Sequence, residues 1–186
     1  MTEQTSGEYK QVIQACKDIF EKKTRDYGTA WRVLRLPSIT DQILIKAQRI
    51  RSIQEKGIQR VDDSVRNEFA GIVNYGIIAL MQLELSDRDD LDLSFEQVEP
   101  HYNSAAEQAM ALFEDKNHDY GEAWRDMRIS SITDIILMKL RRIKQIEDNN
   151  GLTLISEGLA ANYMDIINYA VFCLIKHQKE DEAAIG

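Results

Sequence analysis

Lys116-Asn117-His118-Asp119-Tyr120-Gly121-Glu122-Ala123-Trp124-Arg125 is the second occurrence of a pattern that the chain has already used. Lys23-Thr24-Arg25-Asp26-Tyr27-Gly28-Thr29-Ala30-Trp31-Arg32 shares its Lys, Asp, Tyr, Gly, Ala, Trp and Arg. Working outward, Ser38-Ile39-Thr40-Asp41 returns as Ser131-Ile132-Thr133-Asp134, and Lys46, Arg49 and Ile50 return as Lys139, Arg142 and Ile143. A shift of about 93 residues gives about 19 identities over about 31 positions from Phe20 to Ile50. The chain is a tandem duplication.

Each copy reads as three helices. The first spans about Gly7 to Asp26, with Tyr9, Val12, Ile13, Cys16, Ile19 and Phe20 at helical spacing, and Gly28 supplies its stop. An irregular segment carries Trp31 to Pro37. Ser38-x-x-Asp41 then resembles a capping box opening the second helix, which Gly57 closes. The third helix is expected from about Asp62 or Asp63 to Leu85. In the second copy, Tyr102 to Gly121, Ser131 to Gly151 and a helix capped by Ser156 and fraying after Lys179 repeat the scheme. The last helices align after a shift of one more residue, which lays Asn74-Tyr75 on Asn168-Tyr169. No stretch alternates with period two. The expected fold is all-α: two tandem three-helix repeats packed as a pseudo-twofold helical bundle. The expected division is residues 1–86, an acidic linker 87–100, residues 101–180 and a tail 181–186.

The 186 residues suffice for a proper core, and the composition is that of a globular protein. The net charge of −8 is unevenly spread, since seven acids and one Arg fall between Glu84 and Pro100. Polymeric nucleic acid is therefore not an expected partner, whereas a small phosphorylated ligand fits the basic clusters elsewhere. No apolar run approaches the ~18 residues of a membrane helix, and the first residues carry no secretion pattern, so a cytoplasmic setting is expected. Cys16 and Cys173 read as small buried hydrophobes.

Several positions invite a chemical role beside a structural one. Asp26 and Asp119 end their helices, where the macrodipole disfavours an acid; they call for a ligand, or for a bridge to Lys23 or Lys116. Trp31 and Trp124, with Tyr27 and Tyr120 beside them, are core anchors or platforms for stacking a base. Asp41 and Asp134 are capping residues or ligands of a phosphate-bound metal. Lys46 with Arg49, and Lys139 with Arg142, form either solvated faces or two-pronged phosphate sites. Glu157, Asp165 and Asn168 share one side of the last helix. Asp165 sits among Met164, Ile166 and Ile167, where an unpaired carboxylate is costly, which makes it the best single functional acid. The first copy offers Asp63, Gly71 and Asn74 there, so its acidic set is incomplete.

Assembled, these residues resemble the nucleotide modification associated domain 1 family. The resemblance rests on Lys116, Asp119, Tyr120, Gly121 and Trp124, then Ser131, Asp134, Lys139, Arg142 and Ile143, then Glu157, Asp165, Asn168 and Tyr169. More distantly, the pattern is similar to the all-α nucleotide pyrophosphohydrolases of the MazG and dimeric dUTPase type. The resemblance implies a nucleotide or nucleoside triphosphate as partner and Mg²⁺ as cofactor. Asp119, Asp134, Glu157 and Asp165 would hold the metal while Lys139 and Arg142 hold phosphates, placing the site in the second repeat. The sequence departs from that type in lacking a Glu-x-x-Glu pair on its second helix. A non-catalytic nucleotide-binding or regulatory module is the alternative, and homodimerisation stays open.

Overall fold

Each repeat folds as a long helix, one 3-10 turn and two further helices, with no strand among the described residues. The computed structural model describes residues 2–57, 64–154 and 157–185, with side chains to residue 180. In the first repeat these helices are α1 (Glu3–Tyr27), α2 (Leu36–Lys56) and α3 (Val65–Glu84). In the second they are α4 (Phe95–Tyr120), α5 (Ile129–Asp148) and α6 (Leu159–Ile185). The 3-10 turns, Ala30–Val33 and Ala123–Asp126, carry the two tryptophans. The expected third-helix start at Asp62 or Asp63 and the Ser156 cap lie outside the described residues.

The long first helices form because apolar residues recur every three or four positions. In α1 these are Tyr9, Val12, Cys16 and Phe20; in α4 they are Val98, Tyr102, Ala105, Ala109 and Phe113. Thr2 caps α1 by accepting from the Thr5 amide, and a Ser94–Gln97 capping box starts α4. Both helices stop at a glycine of positive φ, 68° at Gly28 and 62° at Gly121, which turns the chain into the 3-10 segment. The α4 start means that residues 95–100 of the acidic stretch are already helical, with Pro100 accommodated inside. Only the part before Ser94 connects the repeats.

The cap expected at Ser38 and Ser131 is not the one the chain uses. The extended residues that precede α2 and α5 are Arg35 and Arg128, and neither makes a side-chain cap. Ser38 and Ser131 already lie inside the first turn, so their hydroxyls are not placed to cap it. Asp41 and Asp134 serve the other repeat instead. Asp41 meets Lys144 at 2.6 Å and Asp134 meets Arg51 at 3.5 Å. Lys144 and Arg51 are themselves repeat equivalents, so the two ion pairs are copies of one another across the α2–α5 contact.

The same symmetry organises the middle of the bundle. Helices α3 and α6 pack on each other, with α2 and α5 together on one side and α1 and α4 on the other. One continuous hydrophobic cluster runs through both repeats. Asn168 accepts from Tyr9 Oη at 2.7 Å and donates to the Ala109 carbonyl at 2.9 Å. Asn74 repeats this, accepting from Tyr102 Oη at 2.8 Å and donating to the Cys16 carbonyl at 2.9 Å. Burial pushes both phenols well above their ordinary pKa, so they stay neutral donors. The Asn-Tyr element was thus retained in both copies because each asparagine clamps helices of both repeats. Tyr102→Phe is expected to cost about 1–3 kcal/mol, since it leaves a buried amide oxygen without its donor. Urea unfolding that shows no change would remove the clamp from the account.

Cys16 and Cys173 are free and buried, and burial pushes the Cys16 thiol up to about 12. No helix among the described residues is long and apolar enough to cross a membrane.

Candidate functional site

The first repeat leaves a cavity of about 510 Å³ where α1 ends against α2 and α3. Lys23 and Tyr27 come from the last turns of α1, and Trp31 from the 3-10 turn that Gly28 permits. Lys46 enters from α2, while Gly71 and Tyr75 form the α3 wall. The helix stripe that buries Phe20 therefore also carries Lys23, one turn later, to the cavity. Arg32 holds the floor of this region in place by donating to the Arg88 carbonyl at 2.7 Å and the Asp90 carbonyl at 3.1 Å. Thr29 adds a bond to the Leu91 carbonyl, so the acidic connector is strapped to the turn that presents Trp31.

The cavity is aromatic on its walls and cationic at one end. Lys46 Nζ lies 3.2 Å from Glu68 Oε2 and 5.9 Å from the centre of the Tyr75 ring. Arg49 pairs with the other oxygen of Glu68, which is 5% exposed. Lys23 has no ion-pair partner among the described residues, so the bridge to Asp26, one of the two readings of that acid, does not form. Among the described residues that line the cavity, Lys23 and Lys46 are the charged groups, within reach of aromatic surface. An anionic aromatic molecule satisfies both features.

In the second repeat the corresponding space is filled. Asp165 occupies the position of Gly71 and is 4% exposed. Its two oxygens each take a lysine at 2.6 Å, Lys116 on one side and Lys139 on the other. These lysines are the equivalents of Lys23 and Lys46. Burial lowers the Lys116 ammonium pKa, but the bond to Asp165 and its charge outweigh this and leave it above the ordinary value. Phe172 stands where the first repeat has Ile78, and Trp124 stacks on it with ring centres 4.4 Å apart. Phe113 closes the cluster at 4.8 Å from Phe172. Trp124 is therefore a core anchor, whereas Trp31 faces a cavity. The indole N–H of each tryptophan is buried without an acceptor, so that feature belongs to the motif and does not mark a ligand.

The acids assigned to a metal are not brought together. Asp165 is committed to lysines, Asp134 faces Arg51, and Asp119 is exposed beside His118. Glu157 lies on the rim of a second depression of about 790 Å³, with Lys116, Lys139 and Arg142. Among the described residues no group of three His, Cys, Asp or Glu could hold a metal ion. These residues do not fit a shared Mg²⁺. Asp26 is exposed at the end of α1, and Tyr120, 78% exposed, lines neither cavity. Asn168 belongs to the clamp.

The sequence alone does not place Gly71, Lys23, Tyr75 and Glu68 around one cavity. The available signal was the retained Lys23/Lys116 pair set against a Gly–Asp exchange on the facing helix. That exchange looks like a lost acid until the lysines are seen to flank it.

The sequence profile of a family described as nucleotide modification associated domain 1 matches the chain twice, over residues 23–83 and 116–177. No curated protein and no solved structure gives a match. The two matched segments take in about two thirds of the chain and coincide with the repeats, and the chain belongs to that family.

Proposed function

We propose that this member of the nucleotide modification associated domain 1 family binds a nucleotide in the cavity of its first repeat. The observation that carries the reading is the pairing of aromatic walls from Tyr27, Trp31 and Tyr75 with the ammonium groups of Lys23 and Lys46. A base gains from ring surface and from exclusion of water, and phosphate oxygens gain charge-assisted hydrogen bonds from the lysines. The cavity volume lies within the usual ~300–1,000 Å³ of small-molecule sites. The second repeat, whose equivalent space is closed, contributes scaffold: its Tyr102 donates to Asn74, and its Arg125, in the 3-10 turn, donates to Glu8 of α1 at 2.7 Å.

Cleavage of a nucleoside triphosphate is the finer reading that the family resemblance suggests. What favours it is the basic rim of the second depression, where Lys116, Arg142 and Glu157 meet. What it lacks is a cluster of acids.

The test is a thermal-shift series with nucleosides and their mono-, di- and triphosphates, with pyrophosphate release followed in parallel. A nucleotide at a hundredfold its Kd adds about 2.7 kcal/mol to stability and raises Tm visibly. Absence of any shift across the panel would sink nucleotide binding. Turnover of a triphosphate that Arg142→Ala abolishes would move the activity to the second depression.

A further inference from the structure

Asp165 and Gly71 occupy equivalent places on α6 and α3, and each has an equivalent pair of lysines nearby. In the second repeat the carboxylate is covalently present and both lysines close on it at 2.6 Å. In the first repeat the position carries only a glycine hydrogen, and the space a side chain would fill is crossed by Lys46. A Cβ added to Gly71 would come within 2.8 Å of Lys46 Cε and 3.2 Å of its Nζ. Lys46 meanwhile makes a 3.2 Å contact with Glu68, longer than the 2.6 Å contacts of its counterpart. Glu68 keeps Arg49 when Lys46 leaves.

We infer that Asp165 is a built-in copy of the anionic group that the first repeat takes from its ligand. The ligand's phosphate sits over Gly71, drawing Lys46 from Glu68 and Lys23 from solvent, while its base lies along Tyr75 and Trp31. This rests on nucleotide binding in that cavity and adds the ligand class, a nucleoside monophosphate. Two lysines balance one terminal phosphate dianion, and the second repeat shows that a single compact anion spans them. A triphosphate would bring about two further charges, for which the lining offers no further cation among the described residues.

The glycine itself supports the assignment. Gly71 lies inside α3, where glycine is unfavourable by about 1 kcal/mol relative to alanine, and its backbone does not need a positive φ. Its local value is that Lys46 can lie across the place a side chain would take, and can leave it.

Gly71→Asp converts the first repeat into the second. Isothermal titration of the full chain is run with a nucleoside, its monophosphate and its triphosphate, on the wild type, Gly71→Asp and Lys46→Gln, with Tm recorded for each. The wild type is expected to bind the monophosphate at least about tenfold more tightly than the nucleoside, the worth of a charged hydrogen bond. Gly71→Asp is expected to keep or raise Tm and to lose that preference, and Lys46→Gln, which adds nothing to the cavity, to lose it too. Monophosphate binding by folded Gly71→Asp as tight as wild type overturns the mimic while leaving nucleotide binding intact. Should Gly71→Asp unfold, an unchanged preference in Lys46→Gln overturns it instead. A triphosphate bound more tightly than the monophosphate overturns the ligand class. No binding by the wild type to any of the three overturns the site itself.

Discussion

Asp165→Ala is expected to lower the unfolding free energy by about 3–5 kcal/mol at neutral pH, the usual cost of leaving a buried charge without its partner. The two lysines share this cost unequally. Lys116, with 42% of its side chain exposed, can swing to water, whereas Lys139, at 10%, cannot. Asp165→Leu combined with Lys139→Met replaces the buried pair by apolar groups of similar size and is expected to recover most of the loss. Guanidinium unfolding of the two variants decides the matter. A single variant costing under about 1 kcal/mol, or a double variant worse than the single, would mean that Asp165 is not held as a buried ion pair. The result bears on function as well. A carboxylate whose removal unfolds the second repeat is a structural plug, and its loss cannot be scored as loss of catalysis without a stability measurement beside it.

Gly76→Val is the second large effect, and it strikes where the repeats cross. An added Cβ at Gly76 would stand 2.7 Å from Ile167 Cγ1, closer than real carbons approach. Ile167 is fully buried and has no room to retreat. The expected cost is about 2–3 kcal/mol from overpacking, partly offset by leaving glycine's poor helix propensity behind. Ile167→Ala in the same chain should restore part of it by opening the space, a coupling that additive mutations do not show. Gly7→Ala is the control, because nothing lies within 4 Å of its added methyl. It should be neutral or slightly stabilising. Equal losses at Gly7 and Gly76 would refute the close crossing. At the equivalent crossing positions the second arrangement has Ala170 and Val73, which moves one methyl group from one central helix to the other.

The duplication, six helices and their buried stripes were legible because they depend on local order. Periodicity, the glycines after Tyr27 and Tyr120, and the repeated tryptophan motif are all properties of short stretches of chain. The capping expectation failed for a reason of the same scale: a Ser-x-x-Asp spacing shows that a cap is available. It does not show where the preceding 3-10 turn releases the chain, and that point is Arg35 and Arg128.

What the sequence could not assign were residues whose partners lie in the other repeat. Asn168 bonds to Tyr9 from 159 residues away, and Asp134 turns to Arg51 across the α2–α5 contact. From the sequence, Asn168 shares a helix side with two acids and Asp134 offers a local cap or a metal ligand; neither true partner is near in sequence. The sequence and the structure favour different repeats for a related reason. The second repeat has the fuller set of acids and cations, and counting residues favours it. Folding brings Asp165 between Lys116 and Lys139 and so consumes that set, while at Gly71 no carboxylate stands and Lys46 crosses the place a side chain would take. The sequence by itself determined the repeat, its helices and the residue types held in common. Only the tertiary structure decided which charges neutralise one another, because Coulombic pairing depends on distances that long-range packing sets.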